Sequence, residues 1–508
     1  MEDSLKALIA PHAGDLPAIG APGRAWLSYD GLRGLTQEVA ASLHGMGIDA
    51  SDRVAIVLPN GPEMATAFAA IAQVATTAPL NPAYREGEYA YYLEDLKAKA
   101  LLVEADDDGP AFHAAKKLGM AVIRLSVPEG AAAGYFVLSS DLTGEAARAP
   151  VADDVALILH TSGTTSRPKI VPLLQSNVAA SAVHIRDSLQ LTPADRCMNV
   201  MPLFHIHGLI AAVSASLAAG GSIFCTPGFN ALNFFSTMDE AAPTWFTAVP
   251  TMHQAILTRA DRNADVIAKQ PLRFLRSSSA SLPAQVMVQL QDTFGAPVIE
   301  GYGMTEAAHQ MASNPLPPRA QKPGAVGVEA GPLVRTAHET EDRLVDGTGE
   351  VVISGPNVTP GYESNPEANA KSFFEAAGAR WFRTGDQGAF DEDGYLHLTG
   401  RLKEIINRGG EKISPLEVDS VLLDHADIAQ VVAFALPHPK LGEEVAAAVV
   451  LKEGANTTAR AIRDFAAERM ADFKVPRKVI IMDEIPKGAT GKIQRIGLAE
   501  KLGLAEKA

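Results

Sequence analysis

Short, nearly uninterrupted apolar runs alternate with amphipathic stretches through the first 150 residues, and that alternation leaves few folds open. Arg53-Val-Ala-Ile-Val-Leu-Pro59, Lys99-Ala-Leu-Leu-Val-Glu104 and Met120-Ala-Val-Ile-Arg-Leu125 are short, and their apolar residues do not alternate with polar ones. Such runs suit strands buried on both faces of a parallel sheet. Between them, residues 29–47 place Leu32, Leu35, Val39 and Leu43 near helical spacing, and residues 63–75 return to a helical pattern. Strand–helix alternation predicts a parallel sheet covered by helices. A second α/β stretch is expected over 153–315. Gly349-Glu-Val-Val-Ile-Ser-Gly355 and Gly394-Tyr-Leu-His-Leu398 read as antiparallel-type strands, while 336–346 is polar and little strand-like. Beyond Arg401 come a charged turn, Arg408-Gly-Gly-Glu411, an α+β pattern with a strand over 446–451, and a Lys/Gly-bearing tail. The expected organisation is a large domain over 1–400 and a small one over 401–508. The Ala/Gly-rich residues 128–134 read as a loop, and no fixed-period repeat occurs.

Composition narrows the function classes. With 47% hydrophobic and 20% charged residues, 508 residues can bury a large core, which excludes wholesale disorder. The net charge of −15 argues against binding nucleic acid or anionic membrane through bulk charge. A small anionic substrate stays open, because a local nest of N–H groups binds anions whatever the net charge. Cys197 and Cys225 are the only cysteines, which excludes a disulfide framework and a cysteine zinc site. No basic-then-apolar leader, no apolar run of spanning length and no terminal Ser-Lys-Leu address is seen, so the expected location is cytoplasmic. The oligomeric state is left open.

The strongest local signal is His160-Thr-Ser-Gly-Thr-Thr-Ser-Arg-Pro-Lys169, directly after the apolar run Val155-Ala-Leu-Ile-Leu159. Five hydroxyls, a glycine and two cations leaving a strand end suit phosphate oxygens: N–H groups form the nest, hydroxyls donate, and cations neutralise. The spacing is not that of a Walker A loop. The blander reading is a polar surface turn.

This loop resembles the signature of the acyl-adenylate-forming enzymes, and four further segments resemble that family's motifs in their usual order. They are Tyr302-Gly-Met-Thr-Glu306, Thr384-Gly-Asp386, Gly400-Arg-Leu-Lys403 and Pro486-Lys-Gly-Ala-Thr-Gly-Lys492. The resemblance covers essentially the whole chain. It implies a large α/β domain with helix-covered parallel sheets and a distorted β-barrel, plus a small mobile α+β C-terminal domain. It also implies ATP, Mg2+ and coenzyme A as cofactors or co-substrates. Nucleotide contacts are implied for Thr161, Ser162, Gly163, Thr164, Thr165, Lys169, Ser279, Ala280, Glu300, Gly301, Tyr302, Gly303, Met304 and Thr305. Asp386 and Arg401 are implied at the ribose, Tyr302 against adenine, Glu306 on Mg2+, and Thr305 and Lys492 at the α-phosphate. Lys403 matches the hinge position. Arg408, Gly409, Gly410, Glu411 and Lys474 are implied on the coenzyme A side. These residue types fit the chemistry, since two anions must be neutralised and aligned before a weak carboxylate nucleophile can react. One departure stands out: Ile170 follows the loop lysine where the family usually has glycine. A strand continuing through Ile-Val-Pro-Leu173 would accommodate it.

The acyl side is unusually polar. Arg276-Ser-Ser-Ser-Ala-Ser281, His205 and His207 in Pro202-Leu-Phe-His-Ile-His-Gly208, and His309 offer donors that a hydrocarbon tail would leave unpaired. Here the resemblance tightens to the oxalate–CoA ligases. It implies that Ser279, Ser281 and His309 hold a distal carboxylate, with His205 or His207 near the reacting end. Packing roles for the serines, and a core role for His207, are the alternatives. The resulting expectation is ATP-dependent activation of oxalate to its CoA thioester. Three other readings stand beside it: a ligase for malonate, glycolate or a small fatty acid, a carrier-protein-loading module, and a non-catalytic nucleotide-binding protein.

Overall fold

The computed structural model describes residues 2–146, 148–161, 168–486 and 495–504. Four sheets carry the described chain. The first has parallel strands Ala121–Ser126, Ala100–Glu104, Arg53–Ile56, Thr76–Pro79 and Val155–Thr161 in that order. The predicted buried strands are therefore real, and both faces are covered. Helix Pro62–Ile71 shows how: every residue but Glu63 is buried, and Phe68 and Ile71 join the main core cluster between layers. An all-round apolar helix of this kind belongs inside a layered molecule.

The second sheet is built on parallel strands Pro17–Gly20, Ser222–Cys225, Arg196–Asn199, Trp245–Ala248, Phe274–Ser278 and Val298–Met304, with antiparallel strands at both edges. One expectation is corrected here. Residues 155–174 do not begin the second α/β stretch. They form an antiparallel hairpin, Val155–Thr161 with Lys169–Leu174, at the edge of the first sheet. Conversely, Pro17–Gly20 lies in the second sheet, beside a strand 200 residues away. Hydrophobic pattern identifies a strand but not its partner.

The third sheet is antiparallel and barrel-like, made from Leu333–Ala337, Leu344–Val345, Gly349–Ser354, Phe373–Ala376, Ala379–Phe390 and Leu396–Arg401. Its strands include part of the stretch judged too polar. Along Leu333–Ala337, Leu333 and Arg335 are exposed while Val334 and Thr336 are buried. A strand with one wet face carries polar residues by necessity.

The fourth sheet gathers Ile406–Arg408, Glu411–Ile413, Ile428–His438, Gly442–Leu451 and Lys478–Ile481, packed on helices Pro415–Leu423 and Ala459–Ala467 around a core of its own. Side-chain links tie it to the other layers. Lys412 Nζ meets the Glu339 carboxylate at 2.7 Å, and Gln285 donates to Asp424. Among the described residues no helix is long and apolar enough to cross a membrane.

Candidate active site

Strand Val298–Met304 and the chain around it bring most of the candidate residues together. Glu300, Gly301, Tyr302, Gly303 and Met304 lie on this strand, and Thr305 and Glu306 open the tight turn that ends it. The turn reverses through Ala308 and His309, both with positive φ. Non-glycine residues hold such angles only where their surroundings impose them. Here buried Asn357 donates to the carbonyls of Ala307 and Gln310 at 2.8 and 2.9 Å, clamping both sides of the turn.

Glu306 is buried, and its Oε1 accepts the Tyr362 hydroxyl at 2.7 Å. Burial raises its affinity for a proton, while Tyr362 and Lys169 favour the carboxylate. Lys169 Nζ sits 4.2 Å from the centre of the Tyr362 ring, a cation–π contact. Its own proton affinity is lowered by burial and partly restored by Glu306. Thr161 pairs with Lys169 across the hairpin, which holds it beside this group. Ser162, Gly163, Thr164 and Thr165 lie outside the described residues, as does Lys492. Ile170 continues the strand Lys169–Leu174, as expected, so its side chain brings no left-handed strain.

A second group meets opposite. Tyr302 donates its hydroxyl to Asp386 Oδ2 at 2.5 Å, and Arg401 Nε lies 3.4 Å from Asp386 Oδ1. Register explains the ion pair, because Asp386 and Arg401 are directly opposed on antiparallel strands. Asp386 raises the proton affinity of Arg401.

Glu300 is fully buried. Its Oε1 accepts the Leu282 N–H at 2.8 Å, and Oε2 has no partner among the described residues. Burial pushes its carboxyl up to about 8, so the group is mainly neutral at pH 7. It anchors one end of the loop 279–282.

The acyl-side residues form a third group. His207 is buried, with Nε2 at 2.6 Å from Thr247 Oγ1 and Nδ1 at 3.0 Å from Ser279 Oγ. Its ring centre lies 5.1 Å from that of His309. Ser279 has φ +74°, a left-handed angle at a position where the chain leaves strand Phe274–Ser278. His205 is half-buried and accepts the His207 N–H on Nδ1. His207 opens a π-helical segment, His207–Ser214, a geometry that concentrates at functional sites. Ser281 and Ala280 are exposed beyond this cluster.

The remaining candidates lie on the fourth sheet. Arg408, Gly409, Gly410 and Glu411 make the tip of hairpin Ile406–Arg408/Glu411–Ile413, where both glycines have positive φ, as a two-residue hairpin turn requires. Arg408 holds Glu444 at 2.5 Å, whereas Lys474 is paired with Glu417 at 2.6 Å. The two cations thus face different carboxylates. Lys403 is exposed and next to the Asp386–Arg401 pair in sequence.

Tyr362, Asn357, Thr247 and Gln310 carried no role in the sequence reading. Tyr362 had one available signal, the turn-like Thr359-Pro-Gly-Tyr362 after a strand. The others are ordinary polar residues whose importance comes only from neighbours distant in sequence.

Taken together, Lys169, buried Glu306, the Asp386–Arg401 pair and the polar cluster of His207, Ser279 and His309 are gathered around strand Val298–Met304 and the turn that ends it. Comparison with known proteins agrees with this chemistry. Residues 9–363 match the AMP-binding enzyme family, and residues 417–492 match the AMP-binding enzyme C-terminal domain. The chain is 45% identical to the oxalate–CoA ligase of Arabidopsis thaliana, over 97% of each chain. It is 41% identical to the oxalate–CoA ligase of Saccharomyces cerevisiae, covering 88% of this chain and 86% of that one. Among solved structures, it overlays on ATP-bound MatB from Rhodopseudomonas palustris with a TM-score of 0.87, at 29% identity and 99% coverage of both chains. The TM-score against the apo form of that protein is 0.79.

Proposed function

We propose a function from one premise: this chain belongs to the AMP-binding enzyme family. It is an AMP-forming acid–CoA ligase, and its acid is oxalate. The observation that carries the choice of acid is the polar acyl wall. His207, Ser279 and His309 converge where a fatty acid would need apolar side chains. A second carboxylate pairs with such donors, and a hydrocarbon leaves them desolvated and unmatched.

In the first half-reaction one oxalate oxygen attacks the α-phosphorus of ATP, the bond to the β-phosphate oxygen breaks, and pyrophosphate leaves. Lys169 and the residues of the loop before it neutralise the phosphates, and Thr305 donates to the α-phosphate. Asp386 accepts from the ribose hydroxyls with Arg401 beside it, and the Tyr302 ring lies against adenine. Lys492 bridges carboxylate and α-phosphate. Ser279, Ser281 and His309 hold the far carboxylate, and His205 lies near the reacting one. In the second half-reaction the coenzyme A thiolate attacks the acyl carbon and AMP departs. Arg408, Gly409, Gly410, Glu411 and Lys474 face coenzyme A after residues 401–508 turn about Lys403. The closer overlay on ATP-bound MatB supports reading this arrangement as the adenylating one.

Magnesium fits the residues present. No group of three or more candidate ligand side chains occurs among the described residues, but Glu306 offers a buried carboxylate near Lys169. One carboxylate plus substrate phosphates is the usual magnesium arrangement. Held by Glu306, the ion would neutralise phosphate charge. The partners in this reading are small molecules, and the cytoplasm supplies two of them, ATP and coenzyme A.

The test is ATP- and coenzyme A-dependent AMP release with oxalate, malonate, glycolate, acetate and hexanoate. Preference for oxalate, reduced by Ser281→Ala and His309→Ala, supports the assignment. Preference for a monocarboxylate with both variants unimpaired keeps the ligase chemistry and overturns oxalate.

A further inference from the structure

Arg276 is fully buried on strand Phe274–Ser278, and no carboxylate among the described residues pairs with it. Buried charges are normally paired, because desolvation is costly otherwise. The partners here are a hydroxyl, an imidazole and a side-chain amide. Nη1 lies 3.4 Å from Thr247 Oγ1 and 3.5 Å from His207 Nε2, Nη2 donates to Gln310 Oε1 at 3.3 Å, and Nε has no partner among the described residues. Burial lowers its proton affinity only to about 10, so the charge persists at neutral pH.

The surroundings are built to hold it. A Cβ at Gly301 would fall 2.7 Å from Nη2, so the glycine of the central strand makes room for the guanidinium. The Gln310 amide nitrogen donates to Ser188 Oγ at 2.8 Å and to the Ala330 carbonyl at 3.1 Å, which turns its oxygen toward Arg276.

Donor and acceptor chemistry then fixes a direction. A guanidinium can only donate. Its Nη1 faces both Thr247 Oγ1 and His207 Nε2, so Nε2 meets the cation as an acceptor, and Thr247 Oγ1, 2.6 Å away, turns its own hydrogen to that nitrogen. With Nε2 accepting, the imidazole hydrogen sits on Nδ1 and is donated to Ser279 Oγ at 3.0 Å. Ser279, having accepted, keeps its own hydroxyl hydrogen for the pocket. The relay Arg276–Thr247–His207–Ser279 begins at an uncompensated cation and ends in a donor. We propose that Arg276 is a positioning residue that sets selectivity for a dianionic acid, orienting these donors and supplying the positive charge that a second carboxylate requires. This rests on the oxalate reading and adds the origin of the preference.

The test compares oxalate with glyoxylate, which has one carboxylate fewer at nearly the same size. kcat and KM are measured for wild type, Arg276→Met, Arg276→Lys and Thr247→Val, with KM for ATP as a reference. Arg276→Met and Thr247→Val should each lower the oxalate-to-glyoxylate ratio of kcat/KM by about tenfold or more, the scale of one charged hydrogen bond. The loss should lie mainly in KM for the acid. Arg276→Lys should restore part of the ratio. Equal losses for both acids, an unchanged ratio, or a lysine variant no better than methionine would overturn the proposal. If Arg276→Met does not fold, the nearly isosteric Thr247→Val decides alone, since it breaks the relay and leaves the cation in place. Failure of the oxalate reading shows separately, as a wild-type ratio favouring glyoxylate.

Discussion

Asp386 is the residue on which two predicted nucleotide contacts depend, because it binds both the Tyr302 hydroxyl and the Arg401 guanidinium. Asp386→Asn keeps an acceptor for Tyr302 but loses the charge opposite Arg401. KM for ATP should rise by roughly tenfold or more, since a hydrogen bond to a charged group is worth about 1.5–3 kcal/mol. KM for the acid should move much less, and initial-rate measurements check both. Glu300 makes a pH prediction. Its carboxyl is raised by burial from 4.5 to about 8. Between those values the unfolded chain has released a proton that the native state retains, so stability falls as pH rises. The contribution is whole below about pH 4.5 and is lost through pH 8. Thermal melts at pH 5, 7 and 9 should show a downward trend in wild type that Glu300→Gln flattens. At this scale the sequence was most legible where a motif concentrates function, as in residues 300–306. It was least legible for Thr247 and Gln310, whose roles arise from contacts with Arg276 that no local pattern encodes.

Helix Pro62–Ile71 is enclosed between layers, with every residue but Glu63 buried. Phe68 is wholly buried within it. Phe68→Ala should destabilise the fold by about 3–5 kcal/mol through lost burial and the cavity left behind. Urea unfolding would measure this as a lower midpoint with an unchanged slope. Elements of this kind were the easiest to read in advance. The runs at 53–59, 99–104 and 120–125 all contain strands, because burial on two faces leaves an unmistakable apolar signature. The strand Leu333–Ala337 was missed because its exposed face carries Leu333 and Arg335 while its buried face includes Thr336, which hides the alternation. The hairpin at 155–174 was seen as strands but assigned to the wrong layer. Its partner, Thr76–Pro79, lies about 80 residues earlier, and pairing at that distance is a tertiary outcome.

At the scale of the molecule, Lys169 of the first sheet, Tyr302 of the second and Asp386 of the third reach the same few residues, and the chain crosses between sheets repeatedly. Both cysteines lie in the middle of the second sheet, wholly shielded from solvent, and burial raises the proton affinity of each thiol. Native protein should therefore show essentially no fast reaction with a thiol reagent at pH 8, and two equivalents on unfolding. Fast labelling of the folded protein would contradict the packing of strands Arg196–Asn199 and Ser222–Cys225. The expected layout of a large α/β portion with a barrel-like sheet and a following α+β portion is present. What sequence could not supply was the interleaving, above all strand Pro17–Gly20 lying beside Ser222–Cys225. That pairing has a consequence during synthesis. A ribosome adding about 5–20 residues per second takes roughly ten to forty seconds to travel from one of these segments to the other. Throughout that interval Pro17–Gly20 has only the two-residue strand Leu27–Ser28 beside it, and its other edge waits for Ser222–Cys225. The segment is thus made long before its place is complete, and nascent-chain quality control meets it with one edge open.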